Sequence, residues 1–150
     1  MDILTCFAEN LSDLIFDHRL DPKEFSFAIG IDRSVIYKYL RKEVLPSVLH
    51  LVSICNYFSC SADYILGLET SNSKTKFLSA PPFSAQFRKL LEKENLTRYA
   101  LRKDLLARNL RVAKQSIDDW YHGKRLPSVD NLVLLAQYFH CSVDYLLGRE

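Results

Sequence analysis

Apolar side chains recur three and four residues apart at Phe7, Leu11, Leu14 and Ile15, and again at Phe83, Phe87, Leu90 and Leu91. That period places one greasy stripe along a helix. Asp21-Pro22-Lys23-Glu24 supplies an N-cap, a first-turn proline and an acid placed to reach back. Ser47, Ser61, Ser128 and Ser142 stand where further N-caps are expected, with Asp63 and Asp144 on the favourable end of the helix dipole. Gly67 and Gly148 read as helix stops. The pattern predicts an all-α chain of short helices, five in each half, with no strand signal.

The two halves are one sequence twice. Leu45-Pro46-Ser47-Val48 returns as Leu126-Pro127-Ser128-Val129. Cys60-Ser61 and Asp63-Tyr64 return as Cys141-Ser142 and Asp144-Tyr145 at the same offset of 81. Between residues 45 and 69, 15 of 25 positions are identical without a gap, which is a duplication and not chance. Nearer each start, Phe7, Leu14 and Leu20 match Phe83, Leu90 and Leu96 at an offset of 76. Five extra residues therefore enter the second copy between Leu96 and Leu106, which predicts a longer first or second helix there. Residues 69–82 are polar and then proline-containing, and read as a linker between domains at 1–68 and 83–150.

Length and composition agree with that division. The chain has 150 residues, 48% hydrophobic and 25% charged, a mixture that buries a core. No apolar stretch approaches the ~18–20 residues of a membrane span, and the N-terminus lacks a secretory pattern, so a cytoplasmic protein is expected. The net charge of +2 averages two unlike copies. Residues 1–68 carry six Lys/Arg against nine Asp/Glu, and residues 83–150 carry twelve against eight. Such asymmetry points to separate surfaces with separate partners.

In the first copy, Ser26 stands four residues before Gly30, with Phe25, Ile29, Ile31, Ile36 and Tyr39 as the inward face of two crossing helices. A tight turn between steeply crossed helices needs a small contact residue and one tolerant of left-handed φ. In the second copy the matching offset makes Ala107 the small residue and Leu106, Leu110, Val112, Ile117 and Trp120 the inward set. Arg111 then falls where the turn glycine belongs, at a cost of about 1 kcal/mol if that residue is left-handed. With the run Trp120-Tyr121-His122-Gly123-Lys124-Arg125-Leu126-Pro127-Ser128 and Ser142-Val143-Asp144-Tyr145-Leu146-Leu147-Gly148, the chain resembles the Cro and phage-repressor-like helix-turn-helix regulators, the XRE family. The resemblance covers both copies and implies two tandem five-helix, lambda-repressor-like domains. Each would place its third helix in the major groove of double-stranded DNA, commonly as a homodimer. Copy one departs from the pattern, with Lys42 and Val44 where copy two has Gly123 and Arg125.

Carried over position by position, the groove-facing residues are Asp32, Arg33, Ser34, Tyr37, Lys38 and Arg41 in copy one. In copy two they are Ala113, Lys114, Gln115, Asp118, Asp119 and His122, followed by Lys124 and Arg125 as phosphate binders. Arg33 or Lys38 suits guanine and Gln115 suits adenine, whereas Asp118 and Asp119 repel phosphate unless they accept from cytosine. Arg98, Arg102, Lys103, Arg108 and Arg111 widen the basic footprint of copy two. The bland reading of scattered Lys and Arg is a solvated helix face, and only the motif lifts these residues above it. Phe25, Tyr39, Tyr64, Trp120 and Tyr145 read as core, while helical phase turns Phe27 and Tyr37 outward.

Cys6, Cys55, Cys60 and Cys141 form no C-x-x-C pair, and with His18, His50, His122 and His140 they lack zinc-ligand spacing. Reduced core thiols are expected, with no metal or cofactor and no catalytic residue. The leading reading is therefore a sequence-specific regulator of the repressor kind, not an enzyme. Its linker of about 13 residues reaches at most roughly 43–47 Å, enough for half-sites about 34 Å apart. The alternative is an antitoxin-like or anti-repressor-like protein, whose acidic first copy dimerises or holds a protein partner while only the second binds DNA. The end of the chain at Glu150 leaves no segment for a ligand sensor, which also predicts dependence on a partner.

Overall fold

The computed structural model describes residues 2–72 and 74–150. Those residues form ten α-helices and no strand. The chain divides into two compact units, Met1–Phe77 and Leu78–Glu150. The first contains α1 (Ile3–Asp17), α2 (Pro22–Ile29), α3 (Arg33–Leu40), α4 (Val48–Phe58) and α5 (Ala62–Ile65). The second contains α6 (Phe83–Lys93), α7 (Arg98–Ala107), α8 (Lys114–His122), α9 (Val129–Tyr138) and α10 (Val143–Leu147). The all-α, two-domain helix-turn-helix expectation is what the chain folds into.

Each helix starts where its cap dictates. The carboxylate of Asp21 accepts from the Glu24 amide, and the Glu24 carboxylate accepts from the Asp21 amide, a complete capping box. Ser47, Ser61, Ser128 and Ser142 all cap their helices through the hydroxyl. Gly30 closes α2 and Gly148 closes α10 in the left-handed conformation, which glycine adopts without a Cβ penalty.

In the first unit α1 packs on α3 and α5, and α2 packs on α3 and α4. Phe7, Leu11, Phe25, Ile36, Leu51, Ile54 and Ile65 are wholly buried there. In the second unit α6 packs on α8 and α10 around Phe87, Leu101, Leu105, Leu132, Leu135 and Leu146. One amide in each unit ties the first helix to the last. Asn10 Nδ2 donates to the carbonyls of Tyr64 and Ile65 at 3.0 and 3.2 Å, and Gln86 Nε2 donates to that of Tyr145 at 2.8 Å. Asn10 and Gln86 occupy the same repeat position, at the offset of 76 that holds from α1 to the start of α2.

The five extra residues of the second copy lie later than the repeat's offset of 81 suggested. α7 is two residues longer than α2, ten against eight. The turn before the third helix then spans six residues, 108–113, where the first copy has three, 30–32. The first helix is not the longer one, because α6 has 11 residues and α1 has 15. Helix register follows the N-cap, so the inward residues of α7 are Leu101 and Leu105, both fully buried. Leu106 is 55% exposed and Ala107 is exposed, and neither carries the inward role expected of it. The left-handed turn residue is Asn109, at φ 61°, and not Arg111. Asparagine tolerates that region better than other non-glycine residues, so the expected strain at Arg111 is absent.

Two further differences separate the units. At the position of Gly123 (φ 75°), copy one holds Lys42 in the same left-handed conformation at φ 64°. In the second unit Arg149 is fully buried and its guanidinium bonds the carboxylate of Asp144, itself 1% exposed. The main-chain carbonyl of Arg149 accepts from the amide of Leu78 at 2.6 Å. Pro81 lies so close to Gly148 that a Cβ there would sit 2.5 Å from its ring. In copy one the residues at these positions are Asp63 and Leu68.

Candidate nucleic-acid interface

The first copy's third helix is launched by Asp32. Its carboxylate accepts from the Ser34 amide at 2.8 Å and from the Ser34 hydroxyl at 2.6 Å. Those two bonds, the hydroxyl's first, hold the Asp32 carboxyl below the usual aspartate range. The anchored start fixes the phase of α3: Ile36 and Tyr39 turn inward, while Arg33, Ser34, Tyr37, Lys38 and Arg41 face out. With Asp32 these five line one shallow depression, so the structure gathers every candidate of copy one onto a single surface. Arg41 Nε lies 2.6 Å from Glu43 Oε2, but both groups are exposed, and such a pair is weak and readily exchanged. The Asp32 carboxylate is committed to its cap, which leaves the donors of Arg33 and Lys38 as the dominant chemistry of the surface.

The second copy's α8 starts on Ala113, which makes no side-chain cap. Lys114 and Gln115 are exposed at its first turn, as are His122 at its end and Lys124 and Arg125 beyond it. Its carboxylates, however, are braced from within. Asp119 is 7% exposed, accepts from Gln115 Nε2 at 2.9 Å and faces Arg125 Nε at 4.0 Å. Its main-chain carbonyl accepts the Lys124 amide at 2.9 Å. Asp119 is thus a brace for the end of α8, and the Gln115 amide must leave it before meeting a base.

Asp118 is held from α7. Arg98 Nη1 donates to Asp118 Oδ1 at 3.1 Å and to His122 Nε2 at 3.1 Å, and the guanidinium lies 4.3 Å from the Tyr121 ring centroid. Donation to Nε2 requires that nitrogen to be unprotonated. Arg98, Tyr99, Arg102, Lys114 and Asp118 together line a hollow between the starts of α7 and α8. Tyr99, 74% exposed, and the helix cap Thr97 also line it, and sequence reasoning singled out neither. The signal for Tyr99 was its place two residues after the Thr97 cap, outside the buried stripe.

The remaining expectations have plain outcomes. Phe27 is 91% exposed and Tyr37 37%, both outward as helical phase required. Phe25, Tyr39 and Trp120 are buried, and Tyr64 and Tyr145 are half-buried. Cys55 and Cys60 are fully buried, and no disulfide joins the described cysteines. No helix among the described residues is long and apolar enough to cross a membrane.

A family model described as helix-turn-helix matches the chain twice, over residues 18–65 and 87–146. No curated protein and no solved structure matches it. The two matched regions enclose α2 to α5 and α7 to α9 entirely and all but the last residue of α10, with both candidate third helices inside them. The chain belongs to the helix-turn-helix family of DNA-binding transcriptional regulators.

Proposed function

We propose that this protein is a sequence-specific double-stranded DNA-binding regulator that reads the major groove with α3 and α8. It represses by occupying its site. The observation that carries the reading is the depression lined by Arg33, Ser34, Tyr37, Lys38 and Arg41 on the exposed face of α3. A basic, hydrogen-bonding helix face whose inner side is locked by Ile36 and Tyr39 is what base readout needs. Lys124 and Arg125 serve as phosphate contacts, and Arg98, Arg102 and Lys114 extend that footprint on the second copy. Domains at 1–68 and 83–150, joined through 69–82, would address two half-sites with one chain and gain avidity from the connection.

The alternative, in which only the second copy binds DNA while the first dimerises or holds a protein partner, draws on the acidic balance of copy one and its atypical loop at Lys42 and Val44. The open face of α3 favours DNA contact by both copies. The test is selection of bound duplexes from a random pool with the full chain at about 0.1 M salt. Enrichment of two spaced half-sites supports the proposal. Recovery of no preferred sequence would overturn it, and a single half-site read only through α8 would establish the alternative.

A further inference from the structure

The stretch that joins the two units is shorter than its polar composition suggests, because both of its ends are held. The amides of Leu68 and Glu69 donate to the Asp63 carbonyl at 2.8 and 3.2 Å, which keeps the chain on the first unit as far as Glu69. On the far side the Leu78 amide donates to the Arg149 carbonyl at 2.6 Å, and the Pro81 ring lies against Gly148. Arg149 is itself fixed, fully buried with its guanidinium on Asp144. The repeat explains the hold. At the offset of 76, residues 79–82 fall on Ile3–Cys6, the first turn of α1, where Cys6 lies against Gly67 as Pro81 lies against Gly148. A non-helical arm thus does in the second unit what a helical turn does in the first.

Between the held ends, residues 70–72 and 74–76 are exposed and outside any helix. From Glu69 to Leu78 there are nine Cα steps, which reach at most roughly 30–32 Å when straight. The two ends also sit at one place in the repeat. Glu69 follows Leu68, and Leu78 is bonded to Arg149, the residue at the position of Leu68 at the offset of 81. Half-sites in direct order one helical turn apart would carry that place about 34 Å along the duplex. The tether meets such a distance only at its straight limit, where effective concentration vanishes. Half-sites in inverted order are related by a two-fold axis, which sets equivalent places at any shorter distance.

We infer that the held tether makes this chain a reader of two unlike half-sites in inverted order, to the exclusion of a direct repeat one turn apart. The inference rests on the reading in which both α3 and α8 bind DNA, and adds to it the order of the half-sites. The halves are unlike because Arg33 and Lys38 face one, and Lys114 and Gln115 the other. Leu78, Pro81 and Arg149 are positioning residues here, since they set the tether and not the reading faces.

The experiment sequences the duplexes bound from a random pool at about 0.1 M salt. It compares wild type with a full chain carrying about twelve Gly and Ser residues added between Ser71 and Asn72, which more than doubles the reach. Wild type should enrich inverted pairs at least about tenfold over one-turn direct pairs, and the lengthened chain should lose most of that preference. Amide exchange without DNA checks the hold itself. Corrected for intrinsic rates, Leu78 should exchange at least about tenfold more slowly than Thr75 and Lys76. Enrichment of one-turn direct pairs by wild type overturns the inference and leaves the DNA reading standing. So does an undiminished preference in the lengthened chain, or a Leu78 amide that exchanges as fast as Thr75. A single half-site, or no preferred sequence, is a different failure, which removes the two-site reading itself and the inference with it.

Discussion

The two units share a scaffold and differ at its surface. From the first helix to the second cap they run at one offset, with Asn10 and Gln86 making the same bond to the last helix. From the third cap onward they run at another, because α7 and its turn absorb five residues. The buried faces on either side of that insertion are unaffected, since Leu101 and Leu105 keep the phase set by Thr97. What changes is the third helix's surroundings. α3 presents its cations with its one carboxylate spent on a cap, whereas α8 presents lysine and glutamine above two carboxylates already held by arginines. A duplicated fold thus keeps its core under strict packing rules while its solvent face diverges freely. Net charge alone misleads here. Copy one is the acidic one, yet its third helix is the more open cationic surface.

The largest expected separation of the units comes from Arg149. Replacing it with methionine leaves the Asp144 carboxylate buried without its guanidinium partner, at a cost of about 3–5 kcal/mol. The loss falls on the second unit alone, because copy one has Leu68 at that position. Chemical denaturation of the full chain should then show two transitions, with the first unit's midpoint unchanged. A single transition shifted as a whole would mean that the units unfold together.

Next in size is the contrast between the reading faces. Arg33→Ala should cost about 1–3 kcal/mol against the preferred duplex and little against random DNA. Arg125→Ala should weaken binding to all duplexes alike and reduce the salt slope by about one. Gln115→Ala should cost less than Arg33→Ala, because the Gln115 amide must first leave Asp119. Binding titrations at several salt concentrations separate these outcomes. If Gln115→Ala is the costlier change, α8 and not α3 is the dominant reader.

How much of this was legible beforehand follows from what each feature depends on. Caps and stops were legible, because Asp21, Ser47, Ser61, Ser128, Ser142 and Gly148 act on their own next few residues. The outward phase of Phe27 and Tyr37 was legible for the same reason. The place of the insertion was not. An offset of 81 fits the sequence from Leu45 onward, but nothing local says where it begins, and carrying it back into α7 misassigned Leu106, Ala107 and Arg111. Asp119 was misread too, because whether a carboxylate faces a groove or braces its own helix end depends on Arg125 and Gln115 folding onto it. The burial of Arg149 rests on Asp144 and on the chain at Leu78, which is a tertiary fact.

Backbone and cap repairs give a smaller effect in opposite units. Lys42 holds a left-handed φ where the second copy has Gly123, so Lys42→Gly should stabilise the first unit by about 1 kcal/mol. Ala113 leaves α8 without a side-chain cap, so Ala113→Ser should stabilise the second unit by about 1 kcal/mol. Thermal denaturation should move only the altered unit's transition in each case. A Lys42→Gly chain no more stable than wild type would show that the Lys42–Glu9 contact, at 3.4 Å, is worth as much as the relieved backbone.

The smallest effect is a pH dependence confined to the start of α3. The bonds from Ser34 hold the Asp32 carboxyl below its ordinary range, so the folded value lies below the unfolded value near 4. A lowered folded value means that Asp32 stabilises the helix start above the unfolded value and ceases to as pH falls through the folded one. The Ser34 amide proton shift should therefore follow one titration step beneath the usual aspartate range, and Asp32→Asn should abolish that step. The amide of Gln115, whose cap is Ala113, has no such carboxylate to report. Fraying should reach Arg33 and Ser34 first, while Ile36 and Tyr39, buried in the core, keep the remainder of α3 in place. A Ser34 step at or above the ordinary aspartate value would mean that the cap is not held in solution. The two third helices would then start alike, and their difference would rest on the braced carboxylates of α8 alone.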